Sequence, residues 1–99
     1  MESVREGETH RLTLLGEFDL AGARAYEAEI ERIEASGAAQ VEIDMSRLEF
    51  MDSTGLRLLL ETDMRSRENS RQVRYVRPQG EVARLLHLTR VDDRLDFVD

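Results

Sequence analysis

Between His10 and Leu15 the chain alternates, with Leu12 and Leu14 on one side and Arg11 and Thr13 on the other, until Gly16 closes the run. A period of two predicts a half-buried strand over 10–15, with Val4 marking a shorter partner strand before it. From Leu20 to Ser36 the period lengthens. Ala23, Tyr26, Ile30 and Ile33 recur at helical spacing in a stretch rich in Ala and Glu, so this segment reads as an amphipathic helix stopped by Gly37. Val41, Ile43 and Met45 alternate with Glu42 and Asp44, which predicts a strand over 40–45 followed by a loop, SRLEFMD. After Asp52, Leu56, Leu59, Leu60 and Met64 fall at i, i+3, i+4 and i+8, predicting a helix that reaches Glu68 and is ended by Asn69 and Ser70. Residues 72–76, QVRYV, read as a strand stopped by Arg77 and Pro78. Val82, Leu85 and Leu86 mark a short helix after Gly80, and LDFVD reads as a closing strand near 95–98.

Strands and helices therefore alternate along the chain. That order predicts a single α/β domain over 1–99, with a mostly parallel central sheet joined by right-handed crossovers. Three to four helices are expected mainly on one face, and antiparallel pairing at the N-terminal edge. The chain is 99 residues long and 40% hydrophobic, enough for one core and too little for two. One Pro and six Gly leave no stretch that reads as a linker. No run approaches the roughly 18 apolar residues of a membrane span, and the N-terminus lacks an export pattern, so a cytoplasmic protein is expected.

Charge and residue usage narrow the chemistry. Fourteen basic residues against 21 acidic ones give a net charge of −7, which disfavours direct binding to nucleic acid or to an anionic membrane. Every basic residue is Arg, so there is no lysine for a Schiff base or a Walker-type phosphate cradle. Without cysteine there is no disulfide, thiolate metal site or thiol nucleophile, and His10 and His87 form no ligand cluster. No cofactor and no resident metal are expected.

The informative segment is 44–56, DMSRLEFMDSTGL, where a strand gives way to a helix and unpaired amides face the sheet edge. Asp52, Ser53 and Thr54 crowd that helix start. Any of them could serve as an N-cap, which stabilises a helix by about 0.5–2 kcal/mol relative to Ala. Asp19, Asp44 and Asp52 could alternatively form a hard-cation site, although strand-end aspartates commonly serve turns and caps, and Asp19 suits the cap of the helix near Leu20. A serine hydrolase is disfavoured because GxSxG is absent and neither histidine is a credible base for Ser53.

Three motifs in order carry a family resemblance: Gly16-Glu17-Phe18-Asp19, Asp44-Met45-Ser46 and Phe50-Met51-Asp52-Ser53-Thr54-Gly55-Leu56. With the C-terminal stretch RLLHLTRVDDRLDF, the sequence resembles the STAS domain of bacterial anti-sigma factor antagonists over nearly its whole length. The resemblance implies a non-enzymatic partner switch. The unphosphorylated antagonist would bind an anti-sigma factor, a serine kinase with a histidine-kinase-like, ATP-binding fold, and so release the sigma factor. Ser53 would be the phosphoacceptor, and a phosphatase acting on phospho-Ser53 would reset the switch. The partner surface would include Asp19, Asp52, Ser53, Thr54, Gly55 and Arg57.

Two residues depart from the family pattern: Arg57 replaces the small residue often found after Gly-Leu, and Arg90 replaces a Gly common in the C-terminal turn. The chain also ends at Val98-Asp99, where many relatives add a closing helix, so a less covered sheet edge or face is expected, and the protein is expected to be a monomer or a weak homodimer. The alternative reading is a STAS adaptor without a phosphorylation switch, in a transporter, lipid-trafficking or stress-sensing complex.

Overall fold

The computed structural model describes residues 1–98. Leu12, Ile43 and Tyr75 lie in one row across three parallel strands, and all three are fully buried. The strands in chain order are β1 (Glu2–Glu6), β2 (Thr9–Thr13), β3 (Gly16–Phe18), β4 (Gln40–Asp44), β5 (Leu48–Met51) and β6 (Gln72–Val76). The helices are α1 (Ala23–Ala35), α2 (Ser53–Glu68) and α3 (Gly80–Leu88). Four strands form the main sheet in the order β1-β2-β4-β6, antiparallel only at the β1–β2 edge, as expected.

The row beside the buried one holds Arg11, Glu42 and Arg74, with the Arg11 guanidinium 3.1 Å from the Glu42 carboxylate. A sheet that carries apolar side chains on one face and ion pairs on the other can be covered on the first face only. The helices accordingly pack there, and Ala23, Tyr26, Ile30 and Ile33 of α1 are buried as their spacing predicts.

Four sequence expectations need correction. The strand expected over 10–15 ends at Thr13; Gly16, at φ 68°, then turns the chain into β3. The expected loop at 46–52 contains β5, which pairs with β3 in a separate two-stranded parallel sheet. Leu48 and Met51 are buried while Glu49 and Phe50 face outward, so β5 has no period of two and only its partner makes it a strand. The helix expected from Leu20 begins with a 3-10 turn, Leu20–Gly22, because the Asp19 carboxylate accepts the Gly22 amide and closes a tight turn first. The closing strand reduces to one bridge between Tyr75 and Phe97: the Tyr75 amide donates to the Asp96 carbonyl and the Val98 amide to the Tyr75 carbonyl, both at 2.9 Å. Phe97 is held under the Arg77 guanidinium, 4.2 Å from its ring centre.

The inward stripe of α2 also differs from the expected one. Leu59 is fully buried, but Leu56 and Leu60 are half-buried and Met64 is 54% exposed. Leu56 and Leu60 still pack against the core, as expected, while the buried side chains of the helix are Leu58, Leu59, Thr62, Asp63 and Ser66. Thr62 donates to the Leu58 carbonyl at 2.8 Å and shares a 2.7 Å hydrogen bond with the Tyr26 hydroxyl. Asp63 accepts from the Tyr75 hydroxyl and from Arg67, both at 2.8 Å. Buried polar groups with partners are tolerated in a core, and a hydrophobic pattern does not register them. Among the described residues no helix is long and apolar enough to cross a membrane.

Candidate functional site

β3 and β5 run parallel and end together, so the chain leaves β5 beside the start of the 3-10 turn. The Asp52 amide donates to the Phe18 carbonyl at 3.4 Å. Asp52 itself is extended and is the N-cap of α2: Oδ1 accepts the Gly55 amide at 3.0 Å. Its other oxygen, Oδ2, accepts the Leu20 amide at 3.3 Å. One carboxylate thus ties the start of α2 to the turn after β3. Gly55 seals the junction, since a Cβ there would lie 2.3 Å from the Phe18 carbonyl oxygen, closer than any side chain tolerates.

With Asp52 as cap, Ser53 occupies the first helical position, exposed, and its hydroxyl makes no hydrogen bond within the described residues. Thr54 is half-buried beside it. The first turn of α2 carries no acidic side chain, and its leading amides have no intrahelical acceptor. Arg57, one turn further, is exposed and paired with Glu61 at 2.6 Å. Asp19 caps the adjacent 3-10 turn. The structure therefore gathers Asp19, Asp52, Ser53, Thr54 and Gly55 at one junction, with Arg57 next along the helix.

Asp44 is engaged elsewhere: its Oδ1 accepts the Ser46 amide at 2.9 Å and shapes the loop after β4. Among the described residues no group of three or more acidic or imidazole side chains is placed to hold a metal ion. Both imidazoles are committed away from Ser53. His10 Nε2 lies 2.5 Å from Ser3 Oγ, and burial lowers its pKa. His87 Nδ1 lies 3.2 Å from Asp92.

Beneath the junction, α2 rests on two buried tyrosines. Burial pushes the Tyr26 hydroxyl far above its ordinary pKa, against a smaller opposing effect of its hydrogen bond to Thr62. Burial and the nearby Asp63 carboxylate do the same to Tyr75. Both are neutral hydrogen-bond donors at neutral pH.

Sequence reasoning overlooked Leu20 and Phe50, which border the junction with 72% and 46% of their surfaces exposed. Leu20 reads as the first apolar residue of a helix, and only the Asp19-x-x-Gly22 cap, which turns it outward, distinguishes it from core.

The sequence model of the family described as "Mlab, STAS domain" matches residues 1–99. The chain belongs to the STAS-domain family. Solved structures agree with this STAS assignment. An anti-sigma factor antagonist from Mycobacterium paratuberculosis is 26% identical, with a TM-score of 0.85 over 97% of this chain and 81% of that one. The phosphorylated form of the Bacillus cell fate determinant SpoIIAA is 20% identical, with a TM-score of 0.75 over 99% of this chain and 90% of that one, a likeness of fold. The protein Mglu is similar in part, 26% identical over 79% of this STAS chain but only 19% of its own length, with a TM-score of 0.71. No curated protein matches the chain significantly.

Proposed function

We propose that this STAS protein is an anti-sigma factor antagonist whose unphosphorylated form binds an anti-sigma factor, a serine kinase with a histidine-kinase-like ATP fold, and releases the sigma factor. Phosphorylation of Ser53 ends that binding and a phosphatase restores it. The observation that supports this reading is the division of labour at the helix start: Asp52 supplies the cap, which leaves the Ser53 hydroxyl exposed and unbonded. A phosphoryl group there adds about −1.5 to −2 charges and three acceptors. The helix dipole and leading amides accommodate it, so the fold survives. The partner, by contrast, meets new charge beside Asp52 and Asp19, and a buried unpaired phosphate weakens the complex by several kcal/mol. Asp19, Asp52, Thr54, Gly55 and Arg57 complete the proposed contact surface, and the role is one of binding in the cytoplasm without catalysis.

The experiment is incubation with a cognate kinase and ATP, mass spectrometry of the product, and titration of the kinase with wild type, Ser53→Ala, Ser53→Asp and phosphoprotein. Wild type and Ser53→Ala bind comparably, Ser53→Asp more weakly and phosphoprotein weakest, while the melting temperatures stay close. Phosphate on Ser46 or Thr54 in place of Ser53, or equal affinity of modified and unmodified forms, rejects the switch.

The description of the matching family model, which names the Mlab STAS domain and not the antagonists, favours a second reading. That reading is a STAS adaptor in a transporter, lipid-trafficking or stress-sensing complex, for which Ser53 is an ordinary first-turn residue. Absence of phosphate at Ser53 after incubation with every candidate kinase selects it.

A further inference from the structure

Leu20 is the most exposed large apolar side chain among the described residues, at 72%, and its amide is bonded to Asp52, the residue before the proposed phosphoacceptor. A leucine on a mobile loop would mean little, but this one is fixed from two sides. Its amide is held by Asp52 Oδ2 at 3.3 Å, and the turn it opens is closed by the Asp19 carboxylate on the Gly22 amide at 3.3 Å. The carboxylate that fixes it is the one that caps α2, so Leu20 keeps a constant position relative to Ser53. Phe50, 46% exposed, is a second exposed apolar residue, two positions before Asp52 on β5 and in register with Glu17. Along the chain Leu20 and Phe50 are flanked by Glu17, Asp19, Glu49 and Asp52, while Arg57 is paired with Glu61 and Arg47 shares a surface cavity with Glu49.

We infer that Leu20, supported by Phe50, is the apolar anchor of the partner surface, and that it fits a pocket on the anti-sigma factor lined with apolar side chains and rimmed with arginine or lysine. The inference rests on the antagonist reading and specifies the partner's chemistry. An exposed leucine on a turn whose backbone is held presents apolar surface at a fixed point, and entering such a pocket removes that surface from water without the cost of ordering a loop. The acidic rim selects a cationic partner and repels a second copy of this chain.

The test titrates each purified histidine-kinase-like anti-sigma factor of the source organism with wild type, Leu20→Ala, Phe50→Ala and Leu88→Ala at low and high salt. Leu88, 69% exposed on the last turn of α3, is the apolar control. We expect Leu20→Ala to weaken binding at least about tenfold, Phe50→Ala less, and Leu88→Ala not at all. Melting temperatures should be unchanged and wild-type affinity should fall as salt rises. If Leu20→Ala and Phe50→Ala bind like wild type while phosphorylation still abolishes binding, the anchor is wrong and the antagonist reading stands. If no such kinase binds wild type, both fall together. Self-association in sedimentation that disappears in Leu20→Ala would overturn the inference in favour of a homodimer.

Discussion

Asp52 and Ser53 divide two tasks that a single serine often combines at a helix start. The carboxylate of Asp52 satisfies Gly55 and Leu20, so Ser53 contributes its hydroxyl to neither. Ser53→Ala should therefore change stability by less than about 0.5 kcal/mol in urea unfolding, as at other exposed positions free of special contacts. Asp52→Ala removes a cap and a second hydrogen bond together, and the same measurement should show a loss of about 1–2 kcal/mol. Equal losses for the two variants would mean that the cap is shared. Gly55 marks the steric limit of the junction. Gly55→Ala drives a Cβ into the Phe18 carbonyl, and because the obstructing atom is main chain, the helix start itself must move. The expected cost is about 3 kcal/mol, at the upper end of overpacking penalties, with a loss of partner binding in excess of what the unfolded fraction explains.

At the scale of elements, α2 shows what a hydrophobic pattern can and cannot convey. Its length and both ends were legible, because Asp52 and Asn69 bound a run of good helix formers, and the three main parallel strands were legible from their alternation. Its rotation was not. The inward face includes Thr62, Asp63 and Ser66; Thr62 and Asp63 are compatible with a core because the Tyr26 and Tyr75 hydroxyls meet them from other elements, with Arg67 pairing Asp63 from within the helix. β5 escaped for a related reason, since its pairing with β3 and not its own periodicity makes it a strand. At the junction, the motif residues lie together as their order along the chain suggests, whereas the Leu20 amide is fixed by donating to a carboxylate 32 positions later, which no local pattern conveys. Thr62→Val separates the two views of α2. Hydrophobicity alone predicts a gain, but the substitution strands the buried Tyr26 hydroxyl and should cost about 1–3 kcal/mol in denaturant unfolding. Tyr26→Phe made alongside it removes the stranded group. The double variant should therefore recover part of the loss, giving a coupling of the two sites that additive effects would not produce.

For the molecule as a whole, composition and burial together give an unusually clean dependence on alkaline pH. The chain has neither lysine nor cysteine, and its arginines stay protonated well above pH 12, so apart from the terminal amine the tyrosines are the groups that titrate between about pH 9 and 12. There are two, Tyr26 on α1 and Tyr75 on β6, and both are buried with their pKa values raised. Folding makes each a weaker acid, so each contributes stability that is fully present below the unfolded pKa of about 10 and is lost as pH rises from there towards the folded value. Above about pH 10 the unfolded chain releases two protons that the folded chain keeps. Stability should then fall with a slope approaching about 2.7 kcal/mol per pH unit. Urea unfolding followed at successive pH values measures that slope, and ultraviolet absorbance of tyrosinate should appear only with unfolding. In Tyr75→Phe one of the two groups is gone, and the slope should halve to about 1.4 kcal/mol per pH unit, from a starting stability lowered by the loss of the hydroxyl that Asp63 accepts. Tyrosinate absorbance rising ahead of unfolding in the wild type would show that one hydroxyl reaches solvent in the folded state, and the packing of α2 over both rings would then be looser than these contacts require.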